Sequence, residues 1–286
     1  MHACENSWMG TCMVKLNPQL KTQFKAALSN YHRSLWKPAL SGEIDFIDRT
    51  VASFQNLKIP ARGQSLKTRS KRIHSTPQVR FYRSPLLLPR KHTTVEMGDL
   101  LFIYKHFLNK VLDTYRAIIV QAKYTKGKKK SWKIDTDQFY FLTQWPRFKI
   151  VRPASKRWRF IKPRALTWAS YGFVGSRATR YPLYYSSTRM LRYKKSVPST
   201  KSFSFTVKSG IGWDSSTSFL LKFVQGLVGE NLSSNTRIKA FVDDLYTIVK
   251  WQPDPPGELE WNDDENEENE GFGVVEFTVV SEQSER

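Results

Sequence analysis

Glu96-Met97-Gly98-Asp99-Leu100-Leu101-Phe102-Ile103-Tyr104 and, after a connection of ordinary length, Ala117-Ile118-Ile119-Val120-Gln121-Ala122-Lys123 are the stretches that decide how this chain is read. Each contains a continuous apolar run, 100–104 and 117–120, the pattern of strands covered on both faces. An acid opens the first run, and a Gln-x-Lys closes the second. If the two strands are antiparallel neighbours, Asp99, Gln121 and Lys123 meet at one sheet edge. Residues two apart in a strand share a face, so Gln121 and Lys123 point the same way.

That trio suits phosphodiester hydrolysis. Asp99 offers a hard carboxylate oxygen to Mg²⁺ or Mn²⁺, and the Gln121 side-chain carbonyl and the Ala122 backbone carbonyl add two more. Such a metal lowers the pKa of a bound water and neutralises charge on the scissile phosphate. Lys123 orients or deprotonates that water, or holds the phosphate as a point charge. Glu96, three residues before Asp99, is either a further ligand or a loop acid.

Outward from these strands the pattern alternates between helix and strand. Asn17-Pro18 is an N-cap with proline at the first helical position, and Leu20, Phe24, Leu28, Tyr31 and Leu35 recur at helical spacing, giving a helix over 18–36. Ser41 caps a second helix with Ile44, Ile47, Val51 and Phe54 on its apolar stripe, and with Glu43 in the first turn, where the helix dipole favours an anion. Residues 60–78 are basic and rich in Gly, Ser and Pro, without apolar period. They read as a loop whose Arg69, Lys71 and Arg72 form a phosphate clamp. Strands follow near 79–83 and 148–151, separated by a helix that Asp135 or Thr136 caps and Pro146 ends. Two helices are expected over 216–227 and 236–251, then a disordered acidic segment over 252–271 and a last strand near 272–280.

At Asp99, Gln121 and Lys123, and in the order helix, three strands, helix, strand over residues 41–152, the sequence resembles the PD-(D/E)XK nuclease superfamily in a variant with glutamine for the second acid. The resemblance implies an α/β, restriction-endonuclease-like core, a mixed central sheet flanked by helices. The N-terminal helical segment (1–40) would precede it, and a C-terminal α+β extension (153–251) and the strand and tail at 272–286 would follow. It matches Asp99 to the acid of the second strand, Lys123 to the lysine, and Glu43 to a glutamate that many members add from the first helix. It further implies a Mg²⁺-dependent endonuclease with DNA favoured over RNA as substrate, and, since such folds are frequent in prokaryotic defence systems, an effector gated by a regulatory protein partner. The alternative is a non-catalytic nucleic-acid-binding subunit on the same scaffold.

Charge agrees with a polyanionic partner. Residues 1–250 carry 45 Lys and Arg against 13 Asp and Glu, whereas 252–286 carry 12 acids against Arg286 alone. A field of that sign concentrates nucleic acid. Lys128, Lys129 and Lys130 form a cationic turn usable for backbone contacts. Arg157, Arg159, Lys162, Arg189, Arg192, Lys194 and Lys195, interleaved with aromatic residues, are further candidates for phosphate contacts. Two cysteines, both within the first dozen residues, exclude a disulfide scaffold. Five histidines without ligand spacing argue against zinc. No apolar run is long enough to span a bilayer, and the N-terminus lacks signal-peptide order, so a cytoplasmic location is expected.

Overall fold

The computed structural model describes residues 14–73, 77–82, 92–126, 131–152, 158–165, 167–175, 183–188, 191, 201–206, 214–248 and 272–282. In chain order the first elements are α1 (Pro18–Leu35), α2 (Glu43–Ser53), β1 (Lys58–Ala61), β2 (Gln64–Ile73), β3 (Gln78–Tyr82), β4 (His92–Glu96), β5 (Leu100–Leu108) and β6 (Val111–Thr125). They continue with β7 (Ser131–Asp135), α3 (Thr136–Gln144), β8 (Phe148–Arg152), β9 (Ala169–Gly175), β10 (Leu183–Ser187) and β11 (Ser202–Thr206). Last come β12 (Asp214–Ser215), α4 (Ser216–Val224), β13 (Glu230–Asn231), α5 (Thr236–Ile248) and β14 (Phe272–Ser281).

The two apolar runs do pair, as the antiparallel β5–β6 hairpin, with Leu100 opposite Val120 and Ile103 opposite Ala117. Around it a mixed sheet runs β1-β2-β14-β5-β6-β9-β10-β12, with β13 added against β6. Among the described residues of this sheet, only the β14–β5 and β6–β9 pairs are parallel. One face of this sheet, carrying Leu100, Phe102, Ile118, Val120 and Phe277, packs under α1, α2 and α4. The other face, carrying Leu101, Ile103, Ile119, Tyr171 and Phe173, packs under α3, α5 and two small sheets, β4-β3-β8 and β11-β7. Burial on both faces is why β5 and β6 read as unbroken apolar runs. The molecule is thus a mixed α/β protein with helices on both sides of a mixed sheet. Among the described residues no helix is long and apolar enough to cross a membrane.

The helix starts follow local chemistry. Asn17 Oδ1 accepts from Gln19 N at 2.8 Å, with Pro18 behind it. Asp135 caps α3, accepting from Gln138 N at 2.9 Å, and Trp145 ends that helix in the left-handed region. At α2 the expected cap differs: Gly42 holds the N-cap position, and Asp45 reaches back to accept from Ser41 N at 2.9 Å. The bond runs from the third helical residue to the residue before the N-cap, one position further out than the returning bond of a capping box. Of the expected apolar stripe, Ile44 is exposed, and Phe46 is buried in its stead.

Larger corrections concern pairing. The expected loop at 60–78 is corrected: Pro60 and Ala61 end β1, the whole of β2 lies within the segment, and β2 pairs along its whole length with β14, while 74–76 lie outside the described residues. The strands at 79 and 148 exist, but they pair with each other in the separate β4-β3-β8 sheet rather than flanking the β5–β6 hairpin. The neighbours of that hairpin are β14 and β9, so the main sheet draws strands from within 41–152 and from after it, and crosses the expected divisions at 153–251 and 272–286. The strand at 272–281 forms as expected, but inside the sheet rather than as an appendage. The acidic segment 252–271 lies outside the described residues.

Candidate active site

Strand β5 begins one residue after Asp99, while β6 runs on past it to Thr125. This overhang makes the site. On the β6 edge that faces β5, Val120 O accepts from Asp99 N at 2.9 Å. Hydrogen-bonding direction alternates along a strand, so beyond the end of β5 the groups of Ala122 and Tyr124 on this edge must find side-chain partners. Ala122 N donates to Asp99 Oδ2 at 2.6 Å, and Tyr124 N donates to Glu43 Oε1 at 3.0 Å. The carboxylates of Asp99 and Glu43 are therefore held side by side along a strand edge that also carries the Ala122 carbonyl, which accepts from Gln121 Nε2 at 3.3 Å.

Gly98 allows the approach. Its φ of +156° and a Cβ position that would lie 2.6 Å from Ile119 Cγ2 require glycine there. Proline, with φ locked near −65°, cannot take that place. Gly98→Ala is expected to cost about 1–3 kcal/mol of stability and to move Asp99 off the β6 edge; urea unfolding checks the first and the cleavage assay below the second.

Gln121 lies on this spot but not as expected. Its amide nitrogen donates to Asp99 Oδ2, while its carbonyl oxygen accepts from Gln138 Nε2 at 2.5 Å. The reason is electrostatic: a buried carboxylate needs donors, and the Gln138 amide occupies the other end of the side chain. The expected Gln121 carbonyl ligand is corrected on that ground, and Gln121 becomes the residue that orients Asp99. Gln138, whose Nε2 also donates to Glu96 O at 3.3 Å, was not singled out in the sequence. Its only signal was the Asp135-x-x-Gln138 spacing of a capping box.

Lys123 Nζ stands 3.6 Å from Glu43 Oε2, with its side chain largely buried. Glu43, Glu96 and Asp99 line one open cleft of about 950 Å³ together with Asp45, Asp48 and Arg49. Asp45 is already committed to Arg49, with Nε to Oδ1 at 2.6 Å, and Asp48 to Arg72. Burial pushes the Asp99 carboxyl well above the usual range. Lys123 pulls it back, Glu43 and Glu96 push it further up, and the Ala122 N–H lowers it. The site thus sets Asp99 beside two further acids, Glu43 and Glu96, with Lys123 as the opposing cation.

An all-oxygen donor set of Asp99, Glu43 and the Ala122 carbonyl, with Glu96 on the same cleft, fits a hard divalent cation. Among the described residues no group of three or more His, Cys, Asp or Glu side chains is placed to hold a metal ion by itself. Backbone and water oxygens would therefore have to complete the shell, as they commonly do for Mg²⁺.

The expected phosphate contacts fare differently. Arg69 is consumed by Glu276, with Nε to Oε1 at 3.1 Å. Arg72 pairs with Asp48, and Lys71 lies half-buried on the same strand, so the expected clamp is a ladder strand instead. Arg159 pairs with Asp244, whereas Lys162 is exposed. Lys128, Lys129, Lys130, Arg157, Arg189, Arg192, Lys194 and Lys195 lie outside the described residues. Trp168, Tyr171 and Tyr185 of the aromatic stretch are fully buried core residues. Comparison of the chain with protein families, curated proteins and solved structures gives no match.

Proposed function

We propose that this protein is a divalent-metal-dependent nuclease of PD-(D/E)XK type. The observation that carries the reading is the β6 edge beyond the end of β5, where the Asp99 and Glu43 carboxylates, both lining the acidic cleft, accept from Ala122 N and Tyr124 N, with the Lys123 ammonium beside Glu43, in a polycationic protein. Asp99, Glu43 and the Ala122 carbonyl would hold the ion, with Glu96 in reach of the same cleft. When bound, Mg²⁺ or Mn²⁺ supplies a water of lowered pKa and neutralises charge on the scissile phosphate. Gln121, braced by Gln138, keeps the Asp99 carboxylate turned to its partners. Lys123, steadied by Glu43, presents Nζ as a point charge to a phosphate oxygen or as the group that positions the attacking water. DNA is the favoured substrate, on the resemblance stated above.

The test is incubation of supercoiled plasmid, and in parallel a structured RNA, with the purified chain and Mg²⁺ or Mn²⁺. Nicking or linearisation that EDTA abolishes is expected. Binding without cutting under either metal would leave the non-catalytic, nucleic-acid-binding reading.

Metal addition should also stabilise the fold, because the ion binds carboxylates whose mutual repulsion the folded state alone must bear. At a hundred times its dissociation constant the gain is about 2.7 kcal/mol. It reads as a rise in melting temperature with Mn²⁺ or Mg²⁺, and Asp99→Asn should remove that rise.

A further inference from the structure

A serine, a histidine and an aspartate meet at the turn end of the β5–β6 hairpin, about 30 Å along the strand from Asp99. Across the last row of the sheet, Gln64 of β2 stands opposite Ser281 of β14, Ser281 beside Leu108 of β5, and Leu108 opposite Val111 of β6. One row further in, Val279 stands beside His106, and His106 opposite Thr114. Residues two apart share a face, so His106, Leu108 and Ser281 lie on one side. Between these rows the pairing slips from His106–Thr114 to Phe107–Leu112, which makes Asp113 the extra residue of a bulge. A bulge re-aims a side chain. Here the Asp113 carboxylate reaches the face that His106 occupies, accepting from the ring Nδ1 at 2.9 Å and from Thr114 Oγ1 at 3.0 Å. The other ring nitrogen, Nε2, lies 2.9 Å from Ser281 Oγ.

The protons along this chain of bonds run in one direction. Asn17 N can only donate, and it meets Gln64 Oε1 at 2.8 Å, so the Gln64 amide turns Nε2 toward Ser281 and donates to Oγ at 2.8 Å. The serine oxygen accepts on that side, and its own proton is left for His106 Nε2. Asp113 takes the Nδ1 proton and holds the neutral ring in the tautomer whose Nε2 accepts. A hydroxyl bonded to an imidazole that a carboxylate orients is the arrangement that makes serine a nucleophile, and it is recognised by geometry and roles rather than by fold. His106 is buried, whereas Ser281 is half-buried.

We propose that Ser281 is an acylatable nucleophile, with His106 as its base and Asp113 as a positioning residue, and that it takes small carboxylic esters with an apolar acyl group. The acyl preference follows from the row that holds the serine, which continues through Leu108, half-buried, to Val111, 69% exposed. Ser281 Oγ bonds to the acyl carbon while its proton passes to His106 Nε2. The ester C–O bond then breaks, and the departing alkoxide takes that proton and leaves as an alcohol. Water attacks the acyl carbon in turn, giving a proton to His106 that returns to Oγ as the carboxylic acid leaves. Neither step uses a metal, so the inference goes beyond the nuclease reading and does not depend on it.

The experiment treats the full chain, in EDTA, with a fluorophosphonate probe, from which Oγ displaces fluoride at phosphorus, and maps the adduct by peptide mass spectrometry. Hydrolysis of p-nitrophenyl butyrate is followed on the same preparations. An adduct on Ser281 is expected in folded wild type and not in urea, together with ester hydrolysis that the probe abolishes. Ser281→Ala should lose both. His106→Gln and Asp113→Asn should each lower kcat about 10²–10⁴-fold, and for Asp113→Asn with KM unchanged, a split that a merely structural aspartate would not give. Melting curves show whether each variant folds, and the wild-type adduct decides where one does not. Absence of an adduct on Ser281 in the folded wild type overturns the proposal, and so does hydrolysis that survives Ser281→Ala. Wild-type rates in folded His106→Gln and Asp113→Asn overturn it as well, since the serine would then react unaided. A chain that acylates Ser281 but never cuts nucleic acid loses only the nuclease reading, and one that cuts without acylation loses only this inference.

Discussion

Asp99→Asn should slow metal-dependent cleavage at least about a thousandfold, equivalent to about 4 kcal/mol of transition-state stabilisation, while nucleic-acid affinity in EDTA stays close to wild type. The size follows from the residue's position. Asp99 is the carboxylate at the floor of the cleft, 5% exposed, and its partners on the protein side are the Ala122 N–H and the Gln121 amide. Asparagine keeps the volume and removes the charge, so the strand edge survives and the attraction for a cation falls. Affinity is expected to persist because the substitution leaves Lys123 and the cations outside the cleft in place. Lys123→Ala should act in the same direction, since its ammonium is the cation named as lowering the Asp99 carboxyl and pairs with Glu43. A single-turnover assay, with anisotropy on the same preparations, separates the two readouts. An equal loss of binding and cutting would mean that Asp99 serves the fold rather than the chemistry.

Glu276→Ala should destabilise the protein by about 3–5 kcal/mol, a large share of a typical stability of roughly 5–15 kcal/mol. Glu276 lies on β14 in the interior of the main sheet, 4% exposed. It holds Arg69 of β2 on one side, Lys105 of β5 at 2.9 Å on the other, and the Tyr246 hydroxyl of α5 at 2.5 Å. Burial alone would raise its carboxyl, but Lys105 and Arg69, with hydrogen bonds from Tyr246 and Lys105, outweigh burial and leave it below the usual value. Truncation leaves two largely buried cations without their counter-charge, which is the costly way to break such a cluster. The sign of the pH dependence follows: a depressed folded pKa adds stability above the ordinary glutamate range, and that stability is lost as pH falls through the folded value. Glu276→Gln should therefore flatten the acid limb of the stability curve. Urea unfolding between pH 3 and 7 reads both effects. A loss under about 1 kcal/mol would show that the cluster behaves like a surface ion pair.

The same residue shows what the sequence could and could not disclose. The β5 and β6 runs were legible because their apolar pattern is local, as was α1, whose Asn-Pro start and helical spacing lie within a few turns. Strand β2 was not legible. Its alternation of Leu66, Thr68 and Ser70 with Lys67, Arg69 and Lys71 looks like solvated loop until Glu276, 207 residues away, receives Arg69. Thr68 and Ser70 settle on the α2 segment in the same nonlocal way, donating to Phe54 O and Val51 O at 2.6 Å each. A lone glutamate within an apolar strand was the available clue, since a central strand tolerates such a charge only with partners. Likewise the sequence placed Asp99, Gln121 and Lys123 at one edge. Which end of the Gln121 amide meets Asp99 depended on Gln138, whose approach is tertiary. Where β5 stops and leaves the Ala122 edge to side-chain partners depended on register, which no single strand encodes.

The most direct measurement is the number of Mn²⁺ ions bound per chain, by electron paramagnetic resonance titration, in wild type and Asp99→Asn, with plasmid cutting followed in the same samples. At least one site is expected in wild type, lost in the variant together with cutting. Equal Mn²⁺ binding in the two proteins, or cutting that persists without Asp99, would contradict it.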